Sequence, residues 1–585
     1  MSSFLDLPNE ILYLVVENLP RSEVQALNIT CKTLHARIEP LLYASFDWTW
    51  EPNPGLPQTN EWPQKHCSLV LLLRSILEKP QLATYIRSVT LCGSKYCEHY
   101  LIDYALPTIP SAMYANELSQ FVSLIRKTGV PYANSWVEDL QQGRVAAFVA
   151  LLLTQTHNLT RLHLGPNFTR GREMNYHALH RDSPAVPSKS SLLGKLFHTA
   201  LLGSSHHGLP KFNQLEHISM PWTTTYRDPD DLDLANTLIF FYLPALKSLS
   251  ARCPNAAPIK FPWPSACPSS PIESLDLAFL REKTLCEVLK ATKNLKSLRW
   301  EWQYDPDLYN PLNNRPVIEL EKLAPALKPV RNTLQSLTIS AVNCMSVGFY
   351  EHDELDVTGT LEKLASLNLK HLQIPLAFIL GRSDDDDDYF FFDNTDDNDE
   401  NLAFDHSDDD DQGFSLDHSD GNDEGRLETG IPHTVEELIL THDLGYQEGF
   451  TMYSRRILHL FHLWFEREDF TEQWPDLRSI RLKVDFREEE WVEHQVKVLE
   501  SLTSSVEVRS EVEEANPCRV NLPQQSPIVD LATQDANEGS YGVGFEDEFM
   551  IQPGEESYRE LPPVSRALRQ SSGVGEEWPE ERNNP

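Results

Sequence analysis

The chain has 585 residues, 87 of them Asp or Glu and 50 Lys or Arg, for a formal net charge of −37. That surplus excludes electrostatic attraction to nucleic acid as the default function, since such binding needs a concentrated basic face, and an acidic lipid leaflet would repel the chain for the same reason, so neither nucleic acid nor membrane is an expected partner. With 41% hydrophobic residues the chain has ample core for several domains or one long repeat array.

Nowhere does an apolar run approach the ~20 residues of a membrane-spanning helix. Met1 to Asp6 lack the basic start and apolar core of a secretory signal. Nine cysteines at irregular spacing suit reduced thiols better than a disulfide framework. A cytoplasmic and/or nuclear protein is expected.

The first predicted elements are three short helices. In Leu7-Pro8-Asn9-Glu10-Ile11-Leu12 the proline suits a first helical turn, where its missing N–H would be unpaired anyway. Ile11, Leu12, Val15, Val16 and Leu19 then fall on one face of a 3.6-residue period, and Pro20 ends the helix. Ser22 is the expected cap of a second helix carrying Val24 and Leu27. A third carries Leu34 and Ile38 and is expected to stop before Pro40. So small a unit buries little by itself, and apolar residues left over imply a partner.

Leu7 to Leu12, then Leu19-Pro20-Arg21-Ser22, then Thr30-Cys31-Lys32-Thr33-Leu34, running on to Glu39-Pro40-Leu41-Leu42-Tyr43, resembles the F-box as it occurs in fungal proteins. It departs at Leu34, where many F-boxes carry Trp, and at Val24, where Leu is commoner; both keep apolar bulk. The resemblance implies docking on a Skp-type adaptor and, through it, on a cullin-RING ubiquitin ligase. The docking face it implies comprises Leu7, Pro8, Ile11, Leu12, Val15, Leu19, Val24, Leu27, Cys31, Lys32 and Leu34.

Beyond this unit a pattern of apolar, two variable, apolar, one variable, apolar recurs. It runs from Ile86-Val89-Leu91 through Leu159-Leu162-Leu164 and Leu364-Leu367-Leu369 to Leu477-Ile480-Leu482. The last two apolar residues of each copy point to one side of a short strand, and stacked copies bury a continuous core. His157 to Asn167 carries the full Leu-x-x-Leu-x-Leu-x-x-Asn. The pattern resembles an irregular leucine-rich-repeat array with long insertions; an unrelated α/β domain is the alternative. In such an array the variable residue between the paired apolar positions lies on the open face. The candidate substrate contacts are therefore His163, Ser219, Ser250, Asp276, Arg299, Thr338, Asn368, Ile439 and Arg481.

Charge marks the remaining divisions. Asp384 to Glu424 holds 19 acids and no Lys or Arg, and Ser505 to Pro585 holds 17 acids and 6 bases. Self-repelling segments of this kind are expected to stay disordered. The expected α/β organisation is thus an F-box unit (1–48), a leucine-rich-repeat solenoid (49–383), a disordered acidic insertion (384–425), further repeats of the same domain (426–504) and a disordered acidic tail (505–585).

Signatures of chemistry are weak. Gly203 to Gly208 fails the Gly-x-Ser-x-Gly elbow at His207. Cys92, Cys97 and His99 match no common zinc spacing, and His459 and His462 lie on an apolar helix. There is no phosphate-binding Gly-x-x-x-x-Gly-Lys-Ser/Thr, and Asp393 to Phe404 lacks the glycine and glutamate of an EF-hand. No catalytic, metal or cofactor site is expected. The expected role is a non-catalytic substrate-recognition subunit of a Skp-cullin-F-box ligase, recruiting a protein through its repeats. The alternative is a repeat scaffold that binds an adaptor or other proteins without directing ubiquitination.

Overall fold

A computed structural model describes residues 8–49, 67–92, 108–165, 168, 191–203, 206–220, 237–253, 263–304, 316–343, 356–380, 426–444, 454–484, 493–506 and 508–514. The expected acidic insertion, 384–425, and most of the expected acidic tail lie outside these residues.

The chain opens with α1 (Asn9–Glu17), α2 (Arg21–Asn28) and α3 (Lys32–Leu42). The first two each follow a proline. The Pro8 carbonyl accepts the Ile11 and Leu12 N–H groups, and the Pro20 carbonyl accepts those of Glu23 and Val24. Pro20, not Ser22, is therefore the residue at the start of α2, and no side chain caps it. α3 also runs through Pro40 instead of stopping before it. A proline this near a helix end forfeits a single hydrogen bond, and the Tyr43 N–H still reaches the Glu39 carbonyl at 3.2 Å. Leu12, Val16, Val24, Leu34 and Ile38 form a small core of their own, with Leu19, Leu27, Leu41 and Leu42 packed against it.

Fourteen short strands follow among the described residues: β1 (Ser45–Thr49), β2 (Ser88–Cys92), β3 (Arg161–Leu164), β4 (His217–Ser219), β5 (Ser248–Arg252), β6 (Ser274–Ala278), β7 (Ser297–Tyr304), β8 (Val317–Glu319), β9 (Ser336–Asn343), β10 (Asp356–Thr358), β11 (His371–Pro375), β12 (Glu437–Thr441), β13 (Ser479–Val484) and β14 (Arg509–Glu514). β8 and β10 pair with each other; the other twelve form one parallel sheet whose spatial order is the chain order. Each connection therefore advances the sheet by one strand. A doubly wound sheet would instead reverse direction and cover both faces with helices.

Period-2 patterning decides what each face meets. The residues Phe46, Val89, Leu162, Ile218, Leu249, Leu275, Leu298, Leu337, Leu372, Leu438 and Ile480 lie in register on neighbouring strands. All belong to the main core. Most of the residues alternating with them stay partly exposed, as the buried and half-buried positions of β6 show. At the strand starts one backbone feature repeats from coil to coil. A single carbonyl accepts two successive N–H groups of the next coil: Ala44 from Arg87 and Ser88, Arg87 from Thr160 and Arg161, Thr160 from Glu216 and His217, and so on to Glu436. This row of shared carbonyls satisfies backbone groups that irregular connections would otherwise leave unpaired.

Three boundaries differ from the sequence reading. β1 belongs to the sheet, with Phe46 and Trp48 in the main core, so the helical unit ends near Ala44 and not at 48. The copy placed at Leu364-Leu367-Leu369 is a 3₁₀ turn (Glu362–Ser366) and its exit; the strand uses Leu369, Leu372 and Ile374, five residues on, because Leu364 and Leu367 are spent burying the turn. The sheet also continues past 504 into β14. There Ser510 occupies a register position that is apolar in the other coils, and the buried Thr503 hydroxyl meets the Ser510 hydroxyl at 2.8 Å.

The helix Leu376–Leu380 packs against the helix Arg426–Gly430, so the chain leaves and re-enters the fold at neighbouring points. Deleting Asp384 to Glu424 should accordingly leave the thermal midpoint within a few degrees, because loop-closure entropy varies only logarithmically with length. Scanning calorimetry of the deletion variant checks this; a broad or lost transition would contradict it.

Candidate interaction surfaces

Two surfaces stand out, one on the helical unit and one on the sheet. On α1, Ile11 and Val15 are four residues apart and share a helix face. They are 45% and 38% exposed, and Leu14 beside them is 57% exposed. Pro8, Cys31 and Lys32 are also exposed, while Leu19 and Leu27 are half-buried. Leu12, Val24 and Leu34 are buried in the small core. They hold the three helices together, so within the expected docking face they lie beneath the surface and not on it. Leu7 lies outside the described residues. The sequence reading missed Leu14 and Ile29, exposed at 57% and 84%, since both lie off the apolar stripe that defines the helices.

The helical unit is tied to the sheet at short range. Only Tyr43 and Ala44 separate α3 from β1, and the Ala44 carbonyl begins the row of shared carbonyls. The helices Ser68–Glu78, α4, and Gln81–Tyr85, α5, come next, with Lys79 between them. The Lys79 ammonium donates to both Glu39 carboxylate oxygens at 2.6 Å. That contact, above all others, raises the Lys79 pKa.

On the sheet's open face eight of the nine candidate residues line up. His163, Ser219, Ser250, Asp276, Arg299 and Thr338 are successive register partners, and Ile439 and Arg481 continue the row. The position between Thr338 and Ile439 belongs to Gln373. Asn368 lies in the loop before β11 and is corrected accordingly. Thr90, the variable residue of Ile86-Val89-Leu91, pairs with His163 and belongs to the row as well. Burial lowers the His163 pKa, favouring the neutral ring. The Ser250 hydroxyl donates to Asp276 at 3.0 Å. Arg299 approaches Asp276 at 3.8 Å and Glu301 at 3.5 Å. Arg481 pairs with Glu437, which also meets His371 at 3.1 Å.

A less regular feature sits where β9 parts from β11. The pairing of these strands ends at Thr338 and Gln373, and Pro375 closes β11. Just after β12 the chain turns back through Leu444, a non-glycine residue at φ 74°. Here the Asp443 carboxylate accepts the Ala341 N–H of β9 at 2.9 Å. The residue keeps some surface in solvent, but its carboxylate is densely enclosed, and burial pushes its pKa up to about 6. The Ala341 N–H, the Thr441 hydroxyl and Arg299 oppose that rise, while Glu301 adds to it. Because the folded-state pKa lies above the ordinary Asp value, folding is favoured when this group is protonated. That contribution is present at acid pH and is lost as pH rises through about 6. Asp443→Asn should therefore stabilise the protein by about 1–3 kcal/mol at pH 7.5 and by much less at pH 4.5. Denaturant titrations of both proteins at the two pH values measure the difference, and a pH-independent difference would contradict the assignment.

Among the described residues no three His, Cys, Asp or Glu side chains converge as metal ligands would; Cys97 and His99 lie outside them. His462 on the helix Ser454–Phe465 approaches Glu466 at 3.4 Å. No described helix is long and apolar enough to cross a membrane. No protein-family model and no curated protein matches the chain.

Proposed function

We propose that the chain is a substrate receptor of the Skp-cullin-F-box type. α1 to α3 act as an F-box that docks a Skp-type adaptor, and the twelve-stranded sheet is an irregular leucine-rich-repeat solenoid whose open face holds a protein substrate. The observation that carries this reading is the helical unit itself. It has a core of its own, yet Ile11, Leu14 and Val15 remain on one exposed face. Residues matching the F-box pattern thus supply both a fold and a surface in need of cover. The sequential parallel order supports the repeat half, as does a half-exposed row with mixed chemistry. An associated ligase would supply the chemistry. Tethering raises the local concentration of substrate lysines, so the role asks no acid, base or nucleophile of this chain.

The scaffold alternative shares the adaptor and lacks the ligase. Affinity purification of the full chain from cells, with quantitative mass spectrometry, separates the two. Adaptor together with a cullin is expected; adaptor with no cullin would favour the scaffold, and neither would overturn the F-box reading.

A further inference from the structure

Along the open face the pairing of charges changes between the later strands and β2 to β5. Beyond β5 every arginine of the face whose side chain is described meets a carboxylate: Arg299 meets Asp276 and Glu301, Arg481 meets Glu437, and Arg509 approaches Glu511 at 3.7 Å. Arg161 of β3 is different. Its side chain is exposed and makes no ion pair or hydrogen bond among the described residues. The first and third positions of β2 to β5 hold Arg161, His163, His217 and five Ser or Thr residues, with no Asp or Glu. In the same rows Asp47 and Asp276 stand one strand outside, each accepting a serine hydroxyl, from Ser45 at 2.9 Å and Ser250 at 3.0 Å. Further cations gather where these four strands begin. The Arg87 carbonyl accepts the Arg161 N–H, and the Arg87 guanidinium reaches past the next coil, donating to the Asn158 carbonyl at 3.4 Å and the Gln214 side-chain oxygen at 3.1 Å. Both acceptors are neutral, so the Arg87 charge is not cancelled by them. Lys247 is held by Glu216 at 3.0 Å, and His217, the register partner of Arg161, stands 3.9 Å from the same carboxylate. Segments 84–90, 157–163, 213–219 and 244–250, which form this rim, therefore set Glu216 alone against Arg87, Arg161 and Lys247, on a chain whose net charge is −37.

We infer that this rim, with Arg161 at its centre, docks one aspartate or glutamate side chain of an extended partner-protein segment laid along the open face. A guanidinium presents a planar fork of donors that matches a carboxylate in two parallel hydrogen bonds. Arg161 supplies that fork, and Arg87 adds positive potential from the adjacent coil while its own donors stay with Asn158 and Gln214. One uncommitted fork suits one carboxylate; a phosphate dianion would call for a second cation released from its present partners. The rim is open to solvent, so the contact decides which segment is held more than how tightly it is held. This inference rests on the reading of the sheet face as a protein-binding surface, and it names the chemistry that face selects.

The test uses the purified full chain and an immobilised library of acetylated, amidated nonapeptides in which the central position is fixed and the rest are randomised. The chain should be retained about tenfold more on peptides fixed as Asp or Glu than on those fixed as Asn or Gln. Arg161→Gln should erase the preference at an unchanged thermal midpoint, and Arg161→Lys, which keeps the charge without the fork, should retain less than half of it. Lys296→Gln makes the same change of charge at a lysine already held by Glu273 at 2.9 Å, and should keep the preference. No acidic preference in the wild type, a preference that survives Arg161→Gln or is whole in Arg161→Lys, or one lost equally in Lys296→Gln, would overturn the site. Phosphoserine retained more than tenfold over Asp and Glu would overturn it in favour of phosphate. A preference seen only after deletion of Asp384 to Glu424 would overturn it in favour of the chain's own acids. Adaptor binding, measured in parallel, separates the two levels: a chain that selects acidic peptides but binds no adaptor keeps this site and loses the ligase reading.

Discussion

Ile11→Asp with Val15→Asp should remove binding to a purified Skp-type adaptor, with a loss of at least about a hundredfold. Both residues stand on the exposed side of α1, and neither contributes to the small core, so the helices should keep their fold. At a docked interface each change would replace an apolar contact by a carboxylate stripped of water and without a counter-charge, a cost of several kcal/mol. A hundredfold loss corresponds to about 2.7 kcal/mol, well inside that cost. Isothermal titration calorimetry with wild-type and doubly substituted full chains gives the comparison, with circular dichroism as the fold control. Leu12→Asp makes the contrast: it should unfold the helical unit outright, because Leu12 is fully buried. Equal adaptor affinity in the wild type and the exposed-face variant would show that α1 is not the docking helix.

Trp300→Ala carries the largest expected loss of stability, about 3–5 kcal/mol. The indole is fully buried in β7, stacked in register between Leu277 of β6 and Ile339 of β9. Its N–H donates to the Leu280 carbonyl at 2.7 Å, just after Phe279, which holds a left-handed φ of 67°. Truncation would leave both a cavity and a carbonyl without its donor, at a turn already bent into an unfavourable conformation. Each coil packs mainly on its sequence neighbours, so the damage should be local. Hydrogen exchange is expected to accelerate most in β6, β7 and β9 and least in β2 and β3. A uniform change along the sheet, or a loss below about 1 kcal/mol, would contradict this account of the packing.

The parts legible in the sequence are those where one residue type serves one purpose. Where Leu, Ile or Trp recur at the hexad spacing, as at Leu295-Leu298-Trp300, strand, face and register all follow. β1 escaped because its copy, Tyr43-Phe46-Trp48, is aromatic and merges with the end of α3. β14 escaped because Ser510 stands at an apolar position and is satisfied instead by the hydroxyl of Thr503, seven residues earlier, a polar contact that the apolar pattern does not mark. Near β11 two overlapping copies compete. Both Leu364-Leu367-Leu369 and Leu369-Leu372-Ile374 fit the template, and only the packing of the 3₁₀ turn decides between them. The same distinction governs the sites. The helical stripe shows which residues are apolar on α1 to α3, but not which of them the second and third helices cover. The docking face that the resemblance implies therefore includes Leu12, Val24 and Leu34, which the helices bury among themselves. Asp443 itself lay outside any motif, because its contact with Ala341 joins β9 and the turn after β12 across more than a hundred residues.

The most direct measurement of the central claim is the mass of the assembly that the full chain forms with a purified Skp-type adaptor and cullin, read by size-exclusion chromatography with light scattering. A single species containing one copy of each protein is expected, formed only when the adaptor is present and absent with the Ile11→Asp, Val15→Asp chain. A full-length chain that elutes alone beside an intact adaptor–cullin complex would contradict it.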